Sequence, residues 1–260
     1  MVFKNDFNPV PAPNGQPRFL TALPVFNEAG SVDRVLDEVV RYAGDVLVVD
    51  DGSTDGTSQR LAARKDIQVV AHAQNRGYGA ALRTAFAYGI EHGYDVLVTV
   101  DCDGQHEPQR ICDFVKQIEI SGADIVSGSR YLKSFDSDSP PPEQRRLINF
   151  KITRILNDQL GFQLTDAFCG FKAYRVEALR GLELQETGYA MPLELWVQAA
   201  AKGLSVVEVA VPRIYLDENR SFGEQLDNPE TRLQYYNDVL NRALRALPSE
   251  CQSLRSIRVG

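Results

Sequence analysis

Apolar residues recur with two different spacings between about residue 19 and residue 211. Short runs rich in valine and isoleucine have the length and composition of β-strands, and they cover residues 19–23, 46–49, 67–71, 96–100, 125–128 and 205–211. The stretches between them have helical spacing, and the clearest places five apolar residues on one face: Val32, Val35, Leu36, Val39 and Val40. Strands that alternate with helices predict an α/β fold, with a mostly parallel sheet flanked by helices.

In the second half of the chain, a proline-rich segment interrupts the alternation of strands and helices, and a final helix is expected near the end. Residues 137–142 (SDSPPP) include three consecutive prolines, which cannot donate backbone hydrogen bonds, so they predict a surface loop. An amphipathic helix with Ile148 and Ile152 on its apolar face is expected after the loop, and another is expected after Pro229. We therefore divide the chain into a flexible leader, one α/β domain and a C-terminal helical appendage with its tail: residues 1–17, 18–225 and 226–260.

The composition is that of a globular protein, with 43% apolar and 24% charged residues among 260, which excludes collagen-like, disordered and disulfide-rich classes. The formal net charge of −7 repels phosphate polyanions, so we expect no nucleic-acid partner. No apolar run approaches the roughly 18 residues that span a bilayer, and the start of the chain lacks the apolar core of a secretory signal. These features predict a cytoplasmic protein. An arginine-rich tail (Arg242, Arg245, Arg255 and Arg258) leaves open a peripheral contact with the inner face of the membrane, although a solvated helix end is the simpler interpretation.

Acidic residues follow two of the predicted strands, at the edge where open parallel sheets bind ligands. One cluster is Asp50-Asp51-Gly52-Ser53-Thr54-Asp55, and the other is Asp101-Cys102-Asp103-Gly104-Gln105-His106. The first cluster alone is also typical of a turn, and Asp101-x-Asp103 alone is a weak signal because that spacing occurs often by chance. Two such clusters at one sheet edge favour a binding site, because so many carboxylates repel one another unless a cation neutralises them. A divalent metal that carries a diphosphate, Mg²⁺ or Mn²⁺, suits these oxygen ligands.

Two classes of enzyme share parts of this pattern. Gly77-Tyr78-Gly79 follows a strand and begins a helix, as a dinucleotide-binding loop does, but the third glycine is missing and this is not the first strand-to-helix turn. Residues 98–104 (VTVDCDG) resemble the nucleophile loop of haloacid-dehalogenase phosphatases, which usually lies near the start of a chain. A nicotinamide oxidoreductase and a phosphatase therefore remain minor alternatives.

A longer series of motifs occurs in order along the chain. It comprises residues 23–28 (LPVFNE), 48–57 (VVDDGSTDGT), 75–79 (NRGYG), 101–106 (DCDGQH) and 128–131 (GSRY), then Asp166, Gly170-Phe171 and Glu208-Val209-x-Val211. From about residue 19 to residue 223, this series resembles family 2 glycosyltransferases, and most of all the dolichyl- or polyprenyl-phosphate sugar transferases among them. The resemblance implies a GT-A fold, a nucleotide diphosphate sugar as donor, a divalent metal and transfer of a hexosyl group with inversion.

The resemblance also implies roles for individual residues. Donor-binding residues are expected at Pro24, Asn27, Glu28, Asp50, Asp51, Ser53, Asp55, Arg76, Gly77, Asp101 and Cys102, although the Cys102 side chain should point away from its acidic neighbours. The metal and the diphosphate are expected at Asp101, Asp103 and Gln105, with His106 either beside them or at the surface. Arg145, Arg146 and Asp166 are assigned to the acceptor or its phosphate, and Asp103, Arg130, Arg220 and Glu194 to catalysis.

The acceptor side departs from the pattern of these relatives. Residues 166–171 are DAFCGF where the relatives often have Asp-Pro-x-Ser-Gly-Phe, and residues 223–225 are GEQ where they often have Gly-x-Ser-Lys. A phosphate acceptor is already anionic, whereas a hydroxyl acceptor needs a carboxylate to take its proton. Glu194 is the candidate for that base, or else a first-turn glutamate favoured by the helix dipole. We expect a polyprenyl-phosphate acceptor, with a hydroxyl acceptor as the alternative.

Overall fold

The structure is a computed structural model that describes residues 17–216 and 226–248. Its strands are β1 (Phe19–Val25), β2 (Asp45–Asp50), β3 (Gln68–Ala71), β4 (Val96–Thr99), β5 (Ile125–Ser129), β6 (Lys172–Arg175) and β7 (Val206–Ala210). Its helices are α1 (Val32–Tyr42), α2 (Thr57–Ala63), α3 (Tyr78–Glu91), α4 (Ile111–Ser121), α5 (Glu143–Leu160), α6 (Val176–Arg180), α7 (Met191–Ala201) and α8 (Pro229–Ala246). All six strands predicted from the apolar runs are present, with small shifts at their ends.

The strands form one sheet in the order β3-β2-β1-β4-β6-β5-β7. Every pairing is parallel except those of β6, which runs antiparallel to both β4 and β5. The predicted α/β fold with a mostly parallel sheet is therefore confirmed. Because β2, β1, β4 and β5 all point the same way, their carboxyl ends lie along a single edge, in that order.

Strand β6 was missed by the sequence pattern. It has only four residues, and two of them, Lys172 and Arg175, are basic. The structure nevertheless buries Lys172 almost completely, where its ammonium group donates to the carbonyl oxygen of Cys169 and lies 5.6 Å from the Trp196 ring. A central strand that carries a buried lysine cannot be recognised from alternation of apolar and polar residues alone.

Helices cover both faces of the sheet. On one face, α1 and α4 bury the predicted stripe of Val32, Val35, Leu36 and Val39 together with Phe114. The other face is covered by α3, α5, α7 and α8. Burying each large aliphatic side chain contributes about 1.5–3 kcal/mol, so the valine and leucine stripe of α1 anchors that helix firmly.

Helix α8 joins the same core as the sheet domain. Its apolar stripe of Tyr236, Val239, Leu240 and Leu244 is buried, and the helix packs against α5 and α7. The described part of the C-terminal appendage is thus an integral layer of the domain. Nearly all of the predicted leader and the end of the tail lie outside the described residues. Of the helices that are described, none combines the length and the apolar character needed to cross a membrane.

Candidate active site

A cavity of about 770 Å³ opens along the edge formed by the carboxyl ends of the strands. Its wall consists of the loops after β1, β2, β4 and β5 and parts of α3, α5, α7 and α8. Many of the residues singled out in the sequence line it: Pro24, Asn27, Glu28, Asp51, Gly77, Asp101, Cys102, Asp103, Gln105, Arg130 and Arg145. The parallel strands therefore bring together residues that are more than a hundred positions apart in the chain.

One end of the cavity is built around Asp51, whose side chain is almost fully buried. Its carboxylate accepts hydrogen bonds from the backbone N–H groups of Arg76 at 2.9 Å and Gly77 at 2.7 Å, and it lies 2.5 Å from Nδ1 of His72. A Cβ at Gly77 would overlap the carbonyl oxygen of Thr187, and the φ of +100° also favours glycine. Asp51 therefore lines this wall and also holds it together. Arg76, which was expected to bind the donor, does not line the cavity: its backbone N–H binds Asp51 and its side chain is exposed.

Three of the expected donor-binding residues brace the loops and do not line the cavity: Asp50, Ser53 and Asp55. Asp50 is buried and accepts the backbone N–H of Ser53 at 3.0 Å. Ser53 Oγ in turn accepts the backbone N–H of Asn27 at 2.9 Å, and Asp55 accepts that of Ala29 at 3.0 Å. These bonds hold Asn27 at the cavity wall with a left-handed φ of 56°. These three residues thus position the loop after β1, whereas Asp51 of the same cluster lines the cavity.

The second acidic cluster faces the middle of the cavity. Tyr78 donates a hydrogen bond to Oδ1 of Asp101 at 2.9 Å, and Nε2 of His106 lies 3.3 Å from Oδ2. Burial and the Asp101 carboxylate raise the pKa of Tyr78 well above its ordinary value, so the phenol remains a proton donor. Asp103 Oδ1 accepts the backbone N–H of Gln105 at 2.9 Å. The two carboxylates are therefore oriented by neighbouring groups before any ligand arrives.

Glycine at position 170 allows the backbone to approach Asp101 closely. A Cβ there would overlap the Asp101 carboxylate. The Thr99 hydroxyl donates to the carbonyl oxygen of Gly170 at 2.7 Å and holds this backbone in place. The side chain of Cys102, by contrast, is buried in the core beneath the loop. The backbone at Gly170 thus supports Asp101 from the side of the sheet.

The acidic centre has suitable ligands for a hard divalent cation. Mg²⁺ is commonly held by one or two carboxylates together with substrate phosphates, and Asp101, Asp103 and Gln105 supply such oxygen atoms at the cavity wall. Within residues 17–216 and 226–248, no three His, Cys, Asp or Glu side chains form a metal site by themselves. The residues present therefore fit a metal that is shared with the diphosphate of a bound substrate.

The opposite end of the cavity is basic and is organised by Asp166. This carboxylate is fully buried and accepts hydrogen bonds from Nε of Arg130 at 2.7 Å, from Nη2 of Arg130 at 3.0 Å and from Asn149 at 2.7 Å. Burial by itself raises the pKa of Asp166, but the Arg130 guanidinium and the hydrogen bonds lower it to about 2. Asp166 therefore stays ionised. It does not line the cavity itself but positions Arg130, which does.

Two further arginines line this basic end. Arg145 of α5 was expected there, whereas Arg232 of α8 was not. Arg146, the neighbour of Arg145, is exposed outside the cavity, and Arg220 lies outside the described residues. Arg232 was overlooked because it lies on a helix outside the motifs, next to an apolar stripe where a polar residue normally faces solvent.

Aromatic residues to which the sequence motifs gave no role complete the wall. Tyr189 stacks on Tyr78 with 5.7 Å between ring centroids, and Phe168 stacks on Tyr236 at 4.9 Å. Burial raises the pKa of Tyr236 to about 12, although Arg232 acts in the opposite direction. The basic end of the cavity is therefore both cationic and apolar.

Glu194 lies in the first turn of α7 and is not part of the described cavity wall. Its Oε2 accepts the backbone N–H groups of Gln185 at 2.8 Å and Glu186 at 2.7 Å. This carboxylate holds the loop before α7, which carries Gly188 and Tyr189 to the cavity. Its position favours the structural interpretation over that of a general base.

Comparisons with known proteins agree with this architecture. Residues 21–182 match the Glycosyl transferase family 2 profile. The undecaprenyl-phosphate mannosyltransferase of Micrococcus luteus is 34% identical over an alignment of 205 residues, and the match covers 75% of this chain and 82% of that protein. The polyprenol monophosphomannose synthase of Mycolicibacterium smegmatis is 33% identical over an alignment of 205 residues, and that match covers 75% of this chain and 76% of that protein.

The fold is also similar to that of a solved structure, glucosyl-3-phosphoglycerate synthase from Mycobacterium tuberculosis in complex with Mn²⁺, UDP and phosphoglyceric acid. The TM-score is 0.67 at 20% sequence identity, over 90% of this chain and 80% of that one. The expected GT-A fold is thus confirmed, and the family match gives no support to the nicotinamide and phosphatase alternatives. The order of motifs, the sheet and these similarities agree: the chain belongs to Glycosyl transferase family 2 and is a glycosyltransferase.

Proposed function

We propose that this enzyme transfers a hexosyl group, with inversion, from a nucleotide diphosphate sugar to a polyprenyl phosphate. The observation that carries the proposal is the order of groups along the cavity: Asp51 at one end, the Asp101 and Asp103 pair in the middle, and Arg130 and Arg145 at the other end. Curated relatives named for undecaprenyl-phosphate and polyprenol substrates support the same acceptor class.

Each part of the cavity has a role in this transfer. The end built around Asp51 holds the nucleoside. Asp101, Asp103 and Gln105 hold a divalent metal, Mg²⁺ or Mn²⁺, which when bound stabilises negative charge on the departing diphosphate. Arg130, oriented by Asp166, adds a fixed guanidinium charge on the acceptor side of the acidic centre. With donor and acceptor on opposite sides of the anomeric carbon, a single displacement inverts its configuration.

A phosphate acceptor suits the groups at the basic end. The acceptor oxygen is anionic at neutral pH, so it attacks the anomeric carbon without losing a proton, while the bond from that carbon to the diphosphate breaks. Glu194, the candidate base for a hydroxyl acceptor, is already engaged by two backbone N–H groups. A hydroxyl acceptor stays the alternative, and residues 223–225 (GEQ), at which the chain departs from the relatives' Gly-x-Ser-Lys, lie outside the described residues.

Nucleotide binding tests the donor side. Affinities for GDP and UDP are measured by calorimetry with and without Mn²⁺ in wild type, Asp103→Ala and Asp51→Ala. We expect Mn²⁺ to strengthen binding in wild type but not in Asp103→Ala, and Asp51→Ala to weaken binding even without metal. Asp158→Ala, a change at an exposed residue of α5, is the control. Equal affinity in all of these proteins would contradict the proposal.

Turnover tests the acceptor side. Transfer from GDP-mannose and from UDP-glucose is followed with a short polyprenyl phosphate, the corresponding polyprenol and soluble sugars as acceptors. Transfer to the phosphate but not to the alcohol is the expected result. Transfer to the alcohol or to a sugar alone would favour the hydroxyl alternative.

We also propose a peripheral contact with an anionic membrane, where such an acceptor resides. The outer face of α5 supports it: Leu147 and Phe150 are 51% and 66% exposed, and Lys151 and Arg154 lie exposed on the same face. Apolar side chains flanked by basic ones are typical of helices that lie at a membrane interface. The same helix carries Arg145 to the cavity, so membrane contact would bring the basic end close to the lipid. The arginine-rich tail beyond residue 248 lies outside the described residues.

Sedimentation with vesicles tests this contact. Vesicles with and without anionic lipid are compared for wild type, for the double variant Leu147→Ser and Phe150→Ser, and for Ile120→Ser. Ile120 is 81% exposed on α4, away from the cavity, and serves as the matched control. We expect binding to anionic vesicles that the α5 variant loses and the α4 variant keeps. Failure of wild type to sediment with anionic vesicles would refute the contact.

A further inference from the structure

Helix α8 places a buried arginine at the basic end of the cavity. Arg232 is only 4% exposed, yet it lines the cavity together with Arg145 of α5. The N-terminus of the helix is capped close to Arg232, because the Asn228 side chain accepts the backbone N–H groups of Glu230 and Thr231 at 2.9 and 3.0 Å. Arg232 is therefore held in place by the fold rather than extended into solvent.

The Arg232 guanidinium lies close to a second positive charge at the cavity wall. Burial lowers the pKa of Arg232, and the positive charge of Arg145 acts in the same direction, while Tyr236 and Asp227 oppose it. Two neighbouring cations at one wall of a cavity repel each other, and a phosphate between them removes that repulsion. Guanidinium groups are well suited to this ligand, since each offers a planar fork of donors.

The position of the pair along the cavity identifies which phosphate it would meet. The sheet order places the loops of β2 and β1 first, the acidic loop of β4 next and the Arg130 loop of β5 beyond it. The donor's nucleoside and metal-bound diphosphate occupy the first two regions in the proposed function. A phosphate held by Arg145 and Arg232 therefore belongs to the acceptor.

The walls around the pair suit the lipid part of such an acceptor. Tyr236, one helical turn after Arg232, stacks on Phe168, and Ile148 lines the cavity one turn after Arg145. Each cation is thus followed by an apolar group on the same helix. This pairing matches a phosphomonoester whose next atoms are hydrocarbon.

We propose that Arg232 of α8, together with Arg145 of α5, forms the subsite that binds the phosphomonoester of the acceptor. This inference rests on the proposed function and extends it. The family match ends at residue 182, so the proposal makes the C-terminal helix a determinant of acceptor selection. Arg232 is a binding residue here, and it takes no proton.

Kinetics of acceptor use tests the subsite. Steady-state turnover with farnesyl phosphate as acceptor is measured for wild type, Arg232→Met, Arg232→Lys and the control Arg245→Met, which changes an exposed arginine on the same helix. A lost charge-assisted hydrogen bond is expected to raise the KM for the acceptor about 10- to 100-fold in Arg232→Met. Arg232→Lys should recover part of the loss, while the affinity for GDP or UDP with Mn²⁺ stays within about twofold. An unchanged acceptor KM, or an equal loss of nucleotide affinity, would overturn the proposal.

A direct binding measurement separates this proposal from the proposed function. Farnesyl phosphate, farnesol and inorganic phosphate are titrated by calorimetry into the enzyme saturated with Mn²⁺ and the nucleotide that binds. Farnesyl phosphate should bind to wild type at least tenfold more tightly than to Arg232→Met, and farnesol should not bind, whether or not any sugar is transferred. Binding of inorganic phosphate alone would assign the pair to a free anion and overturn the acceptor assignment. If Arg232→Met does not fold, as judged by thermal unfolding, Arg145→Met at the partly exposed partner replaces it in both experiments.

Discussion

The buried pair of Asp166 and Arg130 provides the sharpest quantitative test of the site. Asp166 is fully buried, and the Arg130 side chain is 21% exposed. Burial by itself raises the pKa of Asp166, but Arg130 and Asn149 lower it from 3.8 to about 2. Each pKa unit corresponds to about 1.4 kcal/mol. The ionised carboxylate therefore stabilises the folded state by about 2 kcal/mol at neutral pH.

The sign of the pH dependence follows from the lowered pKa. Because the folded state binds the proton of Asp166 less tightly than the unfolded state, the stabilisation is complete above about pH 5 and is lost as the pH falls towards 2. In Asp166→Asn this contribution disappears, and the Arg130 charge loses its partner. Removing one member of a buried pair typically costs about 3–5 kcal/mol, so we expect a loss of about 3 kcal/mol at pH 7.

Urea unfolding at pH 7 and at pH 3 measures this difference. The gap between wild type and Asp166→Asn should be about 1 kcal/mol smaller at pH 3 than at pH 7. Asp158→Asn is the matched control, because Asp158 pairs with Arg154 at 3.6 Å with both side chains at least 70% exposed, and such pairs contribute about 0–1 kcal/mol. A loss below about 1 kcal/mol at pH 7, or the same loss at both pH values, would refute this account of the pair.

Two further changes test the acidic centre and the acceptor chemistry. Gly170→Ala should weaken Mn²⁺-dependent binding of GDP or UDP at least about tenfold, because the new Cβ displaces the Asp101 carboxylate. Gly30→Ala, where a Cβ meets open space, should bind like wild type in the same calorimetric titration, and wild-type affinity in both variants would count against the close approach. Glu194→Gln should reduce turnover with a phosphate acceptor by no more than about tenfold, since this carboxylate anchors a loop. A kinetic loss of about a hundredfold or more, with fold and nucleotide affinity intact, would favour a hydroxyl acceptor.

Much of the fold follows from local pattern. Short runs of valine and isoleucine favour buried strands, because strands of a parallel sheet are covered on both faces. The apolar stripe of α1 gives that helix one face that can pack against the core. The position of the acidic loops could also be predicted, because parallel strands connected by helices must place their carboxyl ends on one edge. Asp51, Asp101 and Asp103 line the cavity as expected for that reason.

Other features depended on contacts between distant parts of the chain. Aspartate and serine after a strand can either bind a ligand or stabilise a turn through hydrogen bonds to the backbone. Only the packing of the loops shows that Asp50, Ser53 and Asp55 hydrogen-bond to the backbone in this way. Glu194 is ambiguous in the sequence for the same reason, and the two backbone N–H groups that its carboxylate accepts favour the structural role.

The clearest division between sequence and tertiary structure is seen at Lys172 and Arg232. The chain by itself determined the alternation of strands and helices, the family and the acidic edge of the sheet, because apolar period and motif order are local properties. It could not reveal that these two basic side chains are buried. A charged residue is tolerated in the interior only where partners from other elements surround it, and those partners meet only when β6 enters the sheet and α8 packs beside α5.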